Sequence, residues 1–480
     1  MPDKPKRNVT KIAAIIAMVL IGGAIIGYLV WHSSRVISVA SAYYAKTLCS
    51  GMFVAGRDEQ EVVFSDVLAD MTVGLRHWHR EVDTDRKLVN ITVLGFGERD
   101  AIYRPGLGCT LVTDTTVDAL HEQAEKYSPP APPGRSAEPW PEGDRVESNN
   151  ENGGIDGEKL QAAVDEAFLE PRPKRALRRT RAVVVVHGGS IVAERYAKGF
   201  GPDTPQIGWS IGKSVLNALV GTLVADKRMA LDQKELFAEW KGKDDQRANI
   251  TVDNLLRMVS GLDFDQPHTR MLSDVRTMLF LKGDSAAYAK SEQLADPVGA
   301  SWFYAGGSTA LLAQAMRDAV GGSQADYFSY PYRALFGPLG MTSAILEPDA
   351  AGTFLTPAFA FASARDWARF GLLYLNDGEW QGKRILPEGW VEASLEPTPH
   401  SGGQYGAHLW LDIPAFLRPA KAQKYDLPDD AFFMLGHDGQ MIAIIPSRDL
   451  VVVRLGLSRR RNAWDHGAFL EQVLQAIPKK

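Results

Sequence analysis

Cysteine is nearly missing from this chain: of 480 residues, only Cys49 and Cys109 carry a thiol. Two thiols so far apart form no Cys-rich metal cluster. His-Glu-x-x-His is absent as well, and the ten histidines are scattered, so no metal is expected. Nor does one sign of charge dominate, since 53 Lys and Arg against 58 Asp and Glu leave a net charge of -5. A nucleic-acid partner ordinarily needs a basic face, and none is indicated. What remains, 45% hydrophobic and 23% charged, is an ordinary globular balance, and the length suggests two or three domains.

One long apolar run heads the chain. Ile12 to Trp31 carries no charge and is long enough to cross about 30 Å of hydrocarbon as a helix. Lys4, Lys6, Arg7 and Lys11 precede it. The positive-inside rule therefore puts the N-terminus in the cytoplasm and the rest outside, in the periplasm. Residues 1–32 are read as a cytoplasmic stub and single-pass signal anchor. The rival is a cleaved signal peptide with Ala40-Ser41-Ala42 as an A-x-A-like site, giving a secreted protein. The run exceeds a normal signal-peptide core and the triplet lies well beyond its end, which favours the anchor. Either outcome exports the remainder. In an oxidising compartment Cys49 and Cys109 can pair; two buried free thiols are the other reading.

Residues 33–127 read as an exported extension. Glu59 to Leu75 looks helical, Leu88 to Leu94 reads as a strand, and no catalytic constellation is evident. Residues 128–157 are rich in Pro, Gly and polar side chains, a linker or an extended covering segment. From residue 158 to 480 order returns. Leu160, Ala163, Val164, Ala167 and Phe168 make a helical stripe, and Ala182–Val186 and Ile191–Tyr196 flank the hairpin signal His187-Gly188-Gly189-Ser190. His187 in that turn is read as solvated. Leu450–Leu455 is a further strand, and Trp464–Ile477 an amphipathic helix. The fold class is therefore α/β in the α+β sense: an antiparallel sheet whose first and last helices pack on one face, with a largely helical second layer. Trp367, Phe370, Tyr374 and Trp380 have partial helical spacing and are read as core.

The second layer is expected to begin at Trp209-Ser210-Ile211-Gly212-Lys213-Ser214-Val215. It holds the only Ser-x-x-Lys of the chain, followed at once by an apolar helical run. A serine and lysine at i and i+3 share one helix face, and a helix N-terminus favours an alkoxide and disfavours a lysine proton. That is one way to activate a serine without histidine. The bland alternative is a capping serine and a surface lysine. Three other places align with Ser210: Tyr304 in Trp302-Phe303-Tyr304-Ala305-Gly306-Gly307-Ser308, the segment Gly436-His437-Asp438-Gly439-Gln440 before an apolar strand, and Val259-Ser260-Gly261-Leu262. Glycines at 436 and 439 would let backbone approach a bound substrate.

In this combination the chain resembles the serine β-lactamase and penicillin-binding superfamily. The branch it resembles is class C-like, with D-alanyl carboxypeptidases, family VIII-type esterases and hydrolases related to 6-aminohexanoate-dimer hydrolase. Leu255–Leu262, Leu335–Met341 and Ala364–Gly371 add to the likeness, which covers roughly Glu158 to Ile477. The resemblance implies a β-lactamase-like fold with Ser210 as acyl-accepting nucleophile and Lys213 and Tyr304 as its proton-transfer partners, in either order. It implies an oxyanion hole from the amides of Ser210 and Gln440, substrate contacts at His437 and Gly439, and no cofactor.

Two departures narrow the reading. Tyr304-Ala305-Gly306 lacks the asparagine expected two residues after the tyrosine, and His437-Asp438-Gly439 replaces Lys-Thr-Gly, so a fixed ammonium for a β-lactam carboxylate is missing. The expected activity is therefore hydrolysis of a small ester or linear amide. A D-Ala-type carboxypeptidase or β-lactamase is the alternative, and a non-catalytic ligand-binding or sensor domain is the rival of another class. An α/β-hydrolase triad is not expected.

Overall fold

The computed structural model describes residues 6–69, 78–93, 95–130, 137–146, 154–171, 176–242, 244–267, 270–420 and 425–479. No proline lies between Pro5 and Pro105, so nothing breaks the first helix, α1 (Lys6–Cys49), over its 44 residues. Its apolar run is exposed all round, with Ile12, Leu20, Ile26 and Trp31 facing outward. Farther on, Val39, Ala42, Tyr44, Ala45 and Leu48 are buried. One unbroken helix thus changes from an apolar rod into a core element.

Four antiparallel strands pack on that second half: β1 (His79–Asp83), β2 (Leu88–Val93), β3 (Phe96–Arg104) and β4 (Gly108–Leu111). Strand β2 falls where Leu88–Leu94 was expected, Leu94 lying outside the described residues. The helix expected over Glu59–Leu75 is shorter. Asp58 caps a single turn, Glu59–Val62, which passes into a π turn at Val63–Val67. Residues 70–77 lie outside the described part.

Cys49 and Cys109 are bonded, joining the end of α1 to β4. Beside them Lys46 forms a buried ion pair with Glu347, whose other oxygen accepts from Ser50 Oγ at 2.8 Å and Cys109 N at 2.7 Å. The buried apolar residues of the extension share one continuous core with the helical layer and one face of the main sheet of the region beyond 158. The Pro- and Gly-rich stretch joins it in part. Trp140 is buried, and Arg369 donates to the Pro141 and Gly143 carbonyls at 2.9 and 2.6 Å. Residues 131–136 and 147–153 of that stretch lie outside the description.

Beyond it come α2 (Gly157–Ala167), β5 (Thr180–His187) and β6 (Ser190–Tyr196). The helices α3 (Ile211–Ala225), α4 (Asp274–Leu281), α5 (Gly306–Val320) and α6 (Ala364–Leu375) follow. The chain closes with β7 (Phe432–Gly436), β8 (Gln440–Ile445), β9 (Leu450–Gly456) and α7 (His466–Ala476). The main sheet is antiparallel in the order β7-β8-β9-β5-β6.

Side chains alternate across this sheet. Val183, Val185, Ala443 and Val452 meet Leu160 and Val164 of α2 and Leu470 and Val473 of α7, so the first and last helices share one face as expected. Val184, Val186, Ile442 and Val451 face α6, where Trp367, Phe370 and Tyr374 are core residues. Both faces are covered, which is why these strands read as unbroken apolar runs. The helical layer centres on α3, buried from Ile211 to Leu223.

Candidate active site

Gln206 and Ile207 pair with Ala362 and Phe361, and Gly208 N donates to the Ala360 carbonyl at 2.7 Å. The chain must then turn sharply into α3. Trp209 absorbs the turn in a left-handed conformation, φ +49°, unusual for a bulky residue and a common mark of functional strain. Ser210 occupies the N-cap position of α3, yet its side chain caps nothing. Its hydroxyl instead lies 3.1 Å from Lys213 Nζ and 3.4 Å from the Pro357 carbonyl.

Lys213 is 2% exposed. Its Nζ donates to the Pro357 carbonyl at 3.2 Å and sits 4.8 Å from the centroid of the Tyr304 ring. No carboxylate offsets the burial, which pulls the ammonium down from 10.5 to about 7. The amine is therefore about half neutral at pH 7 and can accept the Ser210 proton. Tyr304 stands just before α5, with Gly306 N donating to Gln266 Oε1 at 2.7 Å. Tyr405 and Trp410 wall its ring at 5.8 and 5.2 Å between centroids. Burial raises the phenol well above 10, and a side-chain hydrogen bond with Ser210 offsets part of that. Tyr304 is thus a neutral hydroxyl in reach of Ser210.

The β7–β8 turn approaches from the other side. The His437 ring meets Trp209 edge-on at 5.5 Å, with Nε2 3.2 Å from Asp438 Oδ1 and its side chain 41% exposed. Gly436 abuts the Gly208 carbonyl so closely that a Cβ would come within 2.1 Å of it. Gly439 was expected to be small for the sake of a substrate. Its φ is +87°, and Arg454 lies against it, with Nη1 2.6 Å from where a Cβ would stand and donating to the Gly439 carbonyl at 2.9 Å. Gln440 is 1% exposed and turned inward, its side chain donating to the His437 and Gly456 carbonyls at 3.0 and 2.7 Å. Of Gly436 to Gln440, His437 is the residue that stays partly exposed, beside Trp209 and next to Ser210.

Several supports had no signal in the sequence. His408 lies beneath Lys213, its Nδ1 3.0 Å from the Lys213 carbonyl. Burial and the neighbouring Lys213 pull its imidazole down to about 3, so it stays neutral. Asn217 accepts from Tyr374 Oη at 2.6 Å and Trp390 Nε1 at 3.0 Å and donates to the Ala407 carbonyl at 2.9 Å, locking the first half of α3. A further signal lay in plain view. Gly208-Trp209-Ser210-Ile211-Gly212 has the Gly-x-Ser-x-Gly spacing of an α/β-hydrolase elbow. Its glycines answer to packing: a Cβ at Gly208 would meet Trp367 at 2.8 Å and one at Gly212 the Thr356 carbonyl at 2.5 Å. The partners of Ser210 here are Lys213 and Tyr304.

The family described as Beta-lactamase matches residues 166–465, more than half of the chain. The chain belongs to that family. Its members are hydrolases of the serine β-lactamase fold. Among relatives, 6-aminohexanoate-dimer hydrolase from Paenarthrobacter ureafaciens is 25% identical over 233 residues, 45% of this chain and 57% of that enzyme. An uncharacterized protein from Alkalihalophilus pseudofirmus is 27% identical over 177 residues, 32% of this chain and 52% of its own. The chain thus spans little more than half the length of these relatives. Among solved structures, a putative 6-aminohexanoate-dimer hydrolase from Bacillus anthracis superposes with a TM-score of 0.52 at 22% identity, over 72% of this chain and 86% of that one. A family VIII carboxylesterase gives 0.52 at 13% identity, over 66% and 96%. At these identities the solved structures establish the β-lactamase fold alone.

Proposed function

We propose that the protein is a membrane-anchored serine hydrolase cleaving a small ester or linear amide through an acyl-enzyme on Ser210. One observation carries this reading: a buried Lys213 amine 3.1 Å from the Ser210 hydroxyl, with its proton affinity lowered to about 7. Neutral Lys213 takes the Ser210 proton as Oγ attacks the substrate carbonyl carbon. The oxyanion is held by the Ser210 amide, at the positive end of α3, and by an amide of the His437–Gln440 turn. Collapse breaks the bond to the amine or alcohol, which leaves with a proton from the Lys213 ammonium or through the Tyr304 hydroxyl. Water then hydrolyses the ester on Ser210. The missing ammonium at His437 and the Ala305-Gly306 sequence after Tyr304 favour a substrate without the β-lactam carboxylate.

The helix α1 is read as a signal anchor with a cytoplasmic N-terminus and the catalytic unit outside. Burial of Ser41 and Ala42 inside the same helix that packs on β2 and β3 supports this over cleavage near Ala42. A serine-directed fluorophosphonate probe tests the chemistry. The wild type is expected to label at Ser210 and Ser210→Ala to lose labelling, while short-chain esters and linear amides turn over faster than nitrocefin. No labelling of folded wild type would favour the silent sensor domain, and efficient nitrocefin hydrolysis would favour the β-lactamase.

A further inference from the structure

The large apolar side chain most exposed among the described residues is neither in the anchor nor in the cleft. It is Phe96, 72% exposed, at the turn between β2 and β3, against 68% for Val19 in the apolar run of α1. A water-facing hairpin turn is normally built from Asn, Asp and Gly. Here Val93, Gly95, Phe96 and Gly97 supply no charge at all.

The position of this turn follows from how β3 runs along α1. Gly97 lies against Ile37, where a Cβ would stand 2.6 Å from Ile37 Cγ2 and 3.6 Å from Ser38 N. At the other end of the strand Tyr103 packs on Phe53 at 6.0 Å, and Cys109 just beyond is bonded to Cys49. Strand β3 therefore climbs away from the apolar run, and its first residue is at the end nearest to it. With about 1.5 Å of rise per residue, Ile37 stands only about 9 Å beyond Trp31.

That level already looks like a membrane boundary. Tyr28 and Trp31 are exposed, their rings 6.0 Å apart, and the Arg35 guanidinium lies 5.1 Å over the Trp31 ring. Exposed aromatics with a cation at the end of an apolar run suit the headgroup layer. Glu98, two residues after Phe96, is engaged by Asn90 Nδ2 at 2.8 Å and limits how deep the turn can go.

We propose that Phe96, the first residue of β3, dips into the same bilayer face that α1 leaves, as a second, interfacial membrane contact. The inference rests on α1 as a membrane-spanning anchor. An apolar tip buried about 5–10 Å into the headgroup and acyl boundary is the usual mode of such contacts. Because α1 continues unbroken into the core, two contacts hold the catalytic unit at one orientation. Tyr43 of α1 stands about 18 Å beyond Trp31 and joins Phe280, Phe359 and Trp209 in an aromatic chain that reaches the cleft. The site then works at a fixed, short height over the lipid surface.

The test uses the full chain in nanodiscs of phosphatidylcholine and phosphatidylglycerol. A photoreactive benzoylphenylalanine replaces Leu20, Phe96 or Leu169 in turn, and lipid adducts are read by mass spectrometry after irradiation. Leu169 is an exposed apolar residue just after α2, on the layer away from α1. Adducts at positions 20 and 96 but not 169 are expected. Adducts at 20 without any at 96 overturn the inference and leave the anchor standing. Absence at both overturns the anchor as well. Cross-linking of position 96 to a second copy of the chain makes the tip a protein interface and overturns it too.

Discussion

In the proposed mechanism Lys213 is the base, and its protonation is open to direct measurement. Burial without a compensating carboxylate lowers it from 10.5 to about 7. At pH 7 an exposed lysine is neutral in about one molecule in 3,000, this one in about half, so burial raises the concentration of usable base by about 10³. The same shift costs the fold about 5 kcal/mol relative to a solvated ammonium at pH 7, at about 1.36 kcal/mol per pH unit. The sign follows from proton counting. Between pH 7 and 10.5 the unfolded chain binds the lysine proton and the folded one does not, so stability rises with pH across that window and is level below it. Two results are expected. The kcat/KM for a short-chain ester rises with unit slope up to pH about 7 and then levels, and Tyr304→Phe lowers it about 10²–10⁴-fold while keeping that midpoint. Lys213→Met abolishes turnover, and in urea titrations its stability relative to wild type grows by roughly 1 kcal/mol per pH unit as pH falls from 9 to about 7, then stays constant. A wild-type profile flat from pH 5.5 to 8.5, or an acid limb that vanishes with Tyr304→Phe, would refute Lys213 as the base.

Two further substitutions probe how the site is held. Asn217→Leu leaves Trp390 Nε1 without its buried acceptor and Tyr374 Oη with only the Ser214 carbonyl at 3.2 Å, and is expected to cost roughly 1–3 kcal/mol in urea unfolding; an unchanged midpoint would show that the lock on α3 is unimportant. Gly212→Ala drives a methyl to within 2.5 Å of the Thr356 carbonyl, with an expected loss of about 1–3 kcal/mol. The displaced first turn should slow fluorophosphonate labelling by about tenfold or more. Labelling at the wild-type rate in a destabilised variant would mean that the Ser210–Lys213 geometry does not depend on that close approach.

What could be read from sequence here is what short-range geometry decides. The continuous apolar runs Met441–Ile445 and Leu450–Leu455 specified strands buried on both faces, because successive side chains of a strand point to opposite sides whatever the rest of the chain does. The stripe of Glu158–Phe168 and the amphipathic pattern of Trp464–Ile477 specified its flanking helices in the same way. Ser210 and Lys213 were neighbours by their spacing alone, since three residues make about one turn. Long-range packing decided the rest. The i, i+3 spacing cannot say that Lys213 is buried against the Pro357 carbonyl and the Tyr304 ring as well as the Ser210 hydroxyl, and that environment sets its proton affinity. Nor can it say that Gly439 sits at φ +87° with Arg454 against it, or that the Gln440 side chain turns inward while His437 stays partly exposed beside Trp209. The composition break at 128–157 suggested an independent extension before it. Yet Lys46 and Glu347, 301 positions apart, meet in one core. Local spacing determined which residues could act together; only the fold decided which of them are dry, charged and within reach.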